Sequence, residues 1–148
     1  MTIAQTATTS FKVELYQAIH NFGPISPDTF KVALYTSAAN IDATTTAYTA
    51  TGEVSGAGYS SGGISLTIST SPTAGNNSGG VPTAYISFLN VSLPNSTFTA
   101  RGALIYNLSK ANRSVAALDF GADKTVSNDT FQIIFPAADA TTAIVRIS

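Results

Sequence analysis

The sequence contains no cysteine and no tryptophan, and only one histidine and one methionine. Without cysteine there are no disulfides, no thiolate metal ligands and no thiol nucleophile. Charge is equally scarce. Asp, Glu, Lys and Arg make up 10% of the 148 residues, against about 25% in typical soluble domains. The net charge of −1 creates no long-range field to draw nucleic acid or an anionic membrane. No apolar run approaches the roughly 20 residues that span a bilayer. The opening MTIAQTATTS has neither the basic segment nor the apolar core of a secretory signal, which predicts a protein made and kept in a cytoplasm unless carried out as cargo.

Thr, Ser, Gly and Asn take the place of the missing charges, beside an apolar fraction of 44%. Thr suits a pleated surface, while Gly, Asn and Ser suit tight connections, so the composition favours strands and turns. A surface this poor in charge is weakly protected against association, as expected of a chain covered by neighbours in an assembly. The length fits one domain with a single sizeable core.

Residues 1–9 are small and polar without periodicity, which predicts a flexible N-terminal arm ahead of one domain over residues 10–148. Phe11, Leu15, Ala18 and Phe22 recur at the spacing of one helical face, predicting a helix over about residues 10–22 with Ser10 as N-cap and Gly23-Pro24 as its end. From Phe30 the period becomes two. Phe30, Val32 and Leu34 share one face, and Ile64, Leu66 and Ile68 repeat the pattern. Further strands are expected over 84–91, 98–106, 115–120, 130–135 and 143–147, with 48–54 as an eighth. Turn residues punctuate them at 26–28, 55–58, 62–63, 75–80, 94–95 and 127–129, and 71–80 reads as a low-complexity loop. The expected fold is a mainly β, single-domain antiparallel β-sandwich, jelly-roll-like, of about seven or eight strands with one N-terminal helix.

The residues that bear chemistry do not assemble into a catalytic motif. His20 sits at the predicted helix end with no Gly-x-Ser-x-Gly elbow elsewhere, which predicts a packing or carbonyl-capping role. The carboxylates Glu14, Asp28, Asp42, Glu53, Asp119, Asp123, Asp129 and Asp139 are scattered, and no aromatic pattern builds a cleft for a glycosidase pair. Oxygens between Asp119 and Asp129 offer a weak calcium-loop reading, without the acidic spacing of an EF-hand. The glycines of 52–58 lack the GK[ST] ending and the following helix of a phosphate loop. The basic residues Lys12, Lys31, Arg101, Lys110, Arg113, Lys124 and Arg146 form no aromatic-interleaved stripe for nucleic acid. Asn-x-Ser/Thr triplets at Asn76, Asn90, Asn95, Asn107, Asn112 and Asn128 are expected in so Ser/Thr-rich a chain. No catalytic, cofactor-binding or metal residues are assigned, no cofactor is expected, and the expected role is non-enzymatic.

Several longer runs carry a resemblance. They are Phe30-Lys31-Val32-Ala33-Leu34-Tyr35-Thr36-Ser37-Ala38-Ala39, then Tyr48-Thr49, Thr51-Gly52-Glu53-Val54-Ser55-Gly56-x-Gly58-Tyr59 and Gly62-Gly63. Thr99-Ala100-Arg101-Gly102-Ala103-Leu104-Ile105-Tyr106 and Leu118-Asp119-Phe120-Gly121-Ala122-Asp123-Lys124 follow, and Phe131-Gln132-Ile133-Ile134-Phe135-Pro136-Ala137 comes near the end. In order and spacing this series resembles a family of small virion structural proteins of tailed bacteriophages and prophages, over roughly residues 11–148. The resemblance implies a virion component made in the host bacterial cytoplasm, foremost a head decoration or cement protein bound to the major capsid protein. A neck, tail or fibre-associated protein is the alternative within that class. The family is expected to work as a homo-oligomer, a homotrimer by the symmetry of capsid axes, without nucleic-acid or membrane partners. A carbohydrate-binding sandwich module is the competing class, with Tyr16, Tyr35, Tyr48, Tyr59, Tyr85 and Tyr106 as its possible sugar platform. Glu53 and Arg101 are isolated charges among apolar and small residues, and a mutual ion pair between them is the sharpest expectation the charges offer.

Overall fold

The strand at Phe30–Tyr35 alternates as expected, yet it is buried on both sides. In the computed structural model, which describes residues 2–148, this strand (β2) lies inside a five-stranded sheet. The sheet also contains β1 (Thr6–Ala7), β3 (Ile64–Leu66), β6 (Val91–Asn107) and β7 (Arg113–Ile133), in the order β1-β7-β6-β2-β3. A second sheet holds β4 (Ile68–Asn76), β5 (Pro82–Phe88) and β8 (Val145–Ile147), in the order β4-β5-β8. All strand pairs are antiparallel. The fold is thus a mainly β sandwich with one N-terminal helix, as the composition and period-two segments predict.

Phe30, Val32 and Leu34 enter the main core with Ile105, Val115, Phe88, Phe98 and Phe135. The opposite face of β2 carries Ala33 and Tyr35 into a second apolar cluster with Ile3, Ala39, Ile41, Leu104, Tyr106 and Ala117. That second cluster corrects the expected flexible arm. Residue 1 lies outside the described residues, but from residue 2 onward the segment is fastened to the sheet. Ile3 is buried against the open side of Gly102, where a Cβ would strike its side chain. The backbones of residues 2–4 and Ile41 exchange hydrogen bonds of 2.9 and 3.0 Å, and β1 pairs with Ala116 and Ala117 of β7. One apolar residue in a polar run suffices to anchor it, because a sheet with an uncovered apolar face lies within reach.

The helix is shorter than predicted and starts earlier. α1 spans Thr9–Tyr16, with Thr8 rather than Ser10 as N-cap, its hydroxyl accepting from the Phe11 N–H. It stops before Gly23 because Ala18 turns into the left-handed region at φ 55°. Beyond that point tertiary packing decides. Phe22 stacks on Phe30 with centroids 4.3 Å apart and planes 7° from parallel, a pairing that a continuing helix would lose.

The expected strands over 98–106 and 115–120 are parts of two much longer ones. β6 and β7 run antiparallel from Val91↔Ile133 to Asn107↔Arg113, joined by a 3-10 turn at Leu108–Lys110. The predicted turns at 94–95 and 127–129 are irregularities within this ribbon, where Asn95 and Asn128 adopt φ 53° and 48°. Likewise most of the expected loop over 71–80 is strand. β4 continues to Asn76, and only residues 77–80 turn, held by Asn77 Oδ1 accepting from the Gly79 and Val81 N–H groups. The stretch 48–54, expected as an eighth strand, is irregular and pairs with the sheet through the single bridge Tyr35↔Glu53, while Tyr48 stacks on Tyr106 and Val54 enters the core.

Candidate functional site

Two polar clusters bring together the single histidine and three of the carboxylates. The first is built around His20. After α1 the chain doubles back, so the His20 side chain is fully buried between Phe11 and Phe22, with ring centroids 5.0 and 6.4 Å away. Its Nε2 lies 2.6 Å from Glu14 Oε2 and its Nδ1 lies 3.0 Å from Asn107 Nδ2. Glu14 Oε1 accepts from Arg113 Nη1 at 2.8 Å, and Asn107 also donates to Asp28 Oδ2 at 2.8 Å. His20 therefore neither caps a helix carbonyl nor offers a free nitrogen to a substrate. Both ring nitrogens are engaged, and no hydroxyl is hydrogen-bonded to them. A Ser-His-Asp arrangement needs one of those nitrogens for the nucleophile.

The second cluster belongs to Glu53. The expected Glu53–Arg101 ion pair does not form. Instead Tyr59 Oη donates to Oε1 at 2.6 Å and the Gly62 N–H to the same oxygen at 2.7 Å. Tyr48 Oη and Ser61 Oγ donate to Oε2, each at 2.7 Å. A carboxylate has about four acceptor positions, and all are filled. Burial pushes the Glu53 carboxyl up, but these four donors outweigh it and hold the group below the usual carboxylate range. The same contacts raise the tyrosines. Burial, then the hydrogen bond it donates to Glu53, drives Tyr59 well above its ordinary value, and Tyr106, stacked on Tyr48 at 4.9 Å, is pushed up to about 12 by burial first and by Tyr48 and Glu53 next. Tyr59 Oη also accepts from the Leu34 N–H at 3.0 Å, so the cluster ties the 47–63 excursion to β2. It is a staple between a loop and a sheet.

Arg101 pairs instead with Asp119 across β6 and β7, Nε to Oδ1 at 3.1 Å, with both side chains partly exposed. The Gly121 N–H, and after it Arg101, holds the Asp119 carboxyl below its usual range. Asp119, Asp123 and Asp129 lie along the strand β7 rather than around a loop, and no group of three metal-ligating side chains occurs among the described residues. Of the six tyrosines weighed as a sugar platform, Tyr35 and Tyr106 are buried, Tyr85 is half-buried on β5, and Tyr48 and Tyr59 serve Glu53. Tyr16 stands alone on α1, 96% exposed.

Apart from Asn107 Oδ1, the buried side-chain polar atoms among the described residues are satisfied, and several exposed groups are apolar. Tyr16 of α1 and Ile147 of β8 are exposed around a groove floored by Phe11 and Leu15, and Val13 of α1 is exposed as well. Leu89 and Ile134 follow β5 and β7 directly and form a second exposed pair of segments, tied by the Phe135 N–H to Asn90 Oδ1 at 2.9 Å. No helix among the described residues is long and apolar enough to cross a membrane. Sequence reasoning missed the Glu14–His20–Asn107–Asp28 group altogether, because Asn107, which joins the neighbouring residues of 14–28, comes from the far end of β6. The only local hint was an Asn at the end of an apolar strand. The fold and its sites define a β-sandwich whose two polar clusters serve internal fastening. Compared with known protein families, curated proteins and solved structures, the chain matches none.

Proposed function

We propose that this chain is a structural component of a tailed-phage virion, a head decoration or cement protein that binds the capsid shell and stabilises it. The observation that carries the reading is the division of labour between interior and surface. Glu14, His20 and Glu53 are taken up in internal staples, while the few other charges are scattered over an outside that leaves Tyr16, Ile25 and Ile134 at 96, 83 and 70% exposure. Exposed apolar groups in separate places suit a rigid body that touches neighbouring subunits at more than one point. Sparse charge suits broad, wet, hydrogen-bonded contacts rather than electrostatic steering. A homotrimer on a capsid symmetry axis is the assembly proposed.

The test is the position of the protein in the particle. Cryo-electron microscopy of virions made with and without this protein should reveal extra density on the outer face of the shell. The stripped shells should lose integrity on heating or dilution. Density confined to the neck or tail would replace the decoration reading with that alternative.

A further inference from the structure

We infer that Asn107 is a two-position switch set by the proton count on His20. An amide nitrogen can only donate, so the 3.0 Å contact from Asn107 Nδ2 makes His20 Nδ1 an acceptor that carries no proton. The ring is then the neutral form with its proton on Nε2, donated to Glu14 Oε2 at 2.6 Å. The second N–H of Asn107 donates to Asp28 Oδ2 at 2.8 Å. Turning the amide over in this state would set its oxygen against the Asp28 carboxylate and against the Nδ1 lone pair. The present orientation is therefore held from two sides, and its cost is visible. Asn107 is fully buried, and its Oδ1 is the one buried side-chain polar atom without a partner among the described residues.

A second proton on His20 reverses this preference. Nδ1–H then needs an acceptor, and the orphaned Asn107 oxygen becomes one when the amide rotates by about half a turn. The rotation withdraws the donor from Asp28 and faces it with an oxygen. Asp28 also accepts from the Asn21 N–H at 2.9 Å and has Lys110 Nζ 3.7 Å from its other oxygen. It is thereby drawn toward Lys110, and the 21–28 loop, which carries the exposed Ile25, follows it. The groups facing the ring are Glu14 from α1, with Arg113 of β7 behind it, and Asn107 of β6, with Asp28 and Lys110 behind that. Phe11 and Phe22 close the remaining sides.

His20 is the only histidine, so its imidazole signals are unambiguous in the full chain. A pH titration of 15N-labelled protein should give the Nε2–H pattern for the neutral ring. As the imidazolium forms, the Asn107 side-chain amide and the Asn21 backbone amide should shift with the same midpoint. Amide exchange across residues 21–28 should rise about tenfold, as the loss of one hydrogen bond to a carboxylate implies. In Asp28→Asn the exchange of that loop should be fast at every pH and no longer follow His20. An Nδ1–H neutral ring, an Asn107 amide that does not move while His20 titrates, or a His20 that stays neutral until the protein unfolds would each overturn the switch.

Discussion

Replacing Glu53 by glutamine removes one charge and almost no volume, so its effect isolates the staple. Four donors lie 2.6 to 2.7 Å from the carboxylate oxygens. The three hydroxyls can rotate to meet an amide NH2, whereas the Gly62 N–H cannot, so the glutamine will place its oxygen toward Gly62 and Tyr59. What is lost is mainly charge assistance. Hydrogen bonds to a charged group contribute about 1.5 to 3 kcal/mol and neutral ones about 0.5 to 1.5, so four bonds bring a gross loss of roughly 4 kcal/mol. Partial solvent access and non-additivity halve this to ~2 kcal/mol, or a fall in Tm of about 4 to 8 °C for a chain of this size. Urea denaturation of both proteins at neutral pH measures the difference, and repeating it in acid tests its origin. Because the folded-state carboxyl lies below its ordinary value of 4.5, the stabilisation is complete above that value and is lost as pH falls through the folded-state one. The glutamine variant has no such group, so the two stabilities should converge in acid. A neutral-pH difference below ~0.5 kcal/mol, or one that persists unchanged in acid, would refute the role given to the charge.

Other expectations follow from the same geometry. Gly63→Ala places a Cβ against the Val32 carbonyl at φ 77°, whereas Gly80→Ala has a similar φ of 76° and open space. Thermal denaturation should give about 1 to 2 kcal/mol for Gly80 and at least twice that for Gly63, and equal losses would mean that backbone strain alone matters. A double-mutant cycle on Arg101 and Asp119 should give a coupling of ~0.2 to 1 kcal/mol, since both side chains are partly exposed, and the Arg101–Glu53 cycle should give none. Thr8→Ala removes the N-cap of α1 and the buried 2.9 Å contact with Ser114, and should cost about 1 to 2 kcal/mol by chemical denaturation. A loss under ~0.5 kcal/mol would place the anchoring of α1 elsewhere.

The strands were legible because their cause is local. Alternation in 30–34 and 64–68 reports which side chains must leave water, and the structure buries those faces. The helical spacing carries the expected helix on to Phe22, and nothing in the periodicity of residues 10–22 reveals that Phe30 competes for its ring. Ile3 and Tyr35 were misjudged for a related reason: the outer face of β2 is covered by segments remote in sequence. At the site, Glu53 stands out in the sequence as an isolated charge, but its partners lie within ten residues on either side of it rather than on a distant strand. His20 could not be placed, since its contact to Asn107 joins positions 87 residues apart.

The β6–β7 ribbon sets an order of assembly. Its register grows outward from Asn107↔Arg113, a closure of only a few residues aided by Ala111 and Asn112 at φ 54° and 60°. Every other partner in that sheet must close a much larger ring: about 70 residues for Leu34↔Ala103 and about 110 for Thr6↔Ala117. Zippering should therefore begin at the hairpin, with β2 docking onto it and β1 last, so substitutions near Ile105 and Ala116 should slow refolding while those at β1 should chiefly speed unfolding. A newly made chain would thus hold a preformed ribbon before its first residues are locked down, and the N-terminal strand would also be the first to peel away under load.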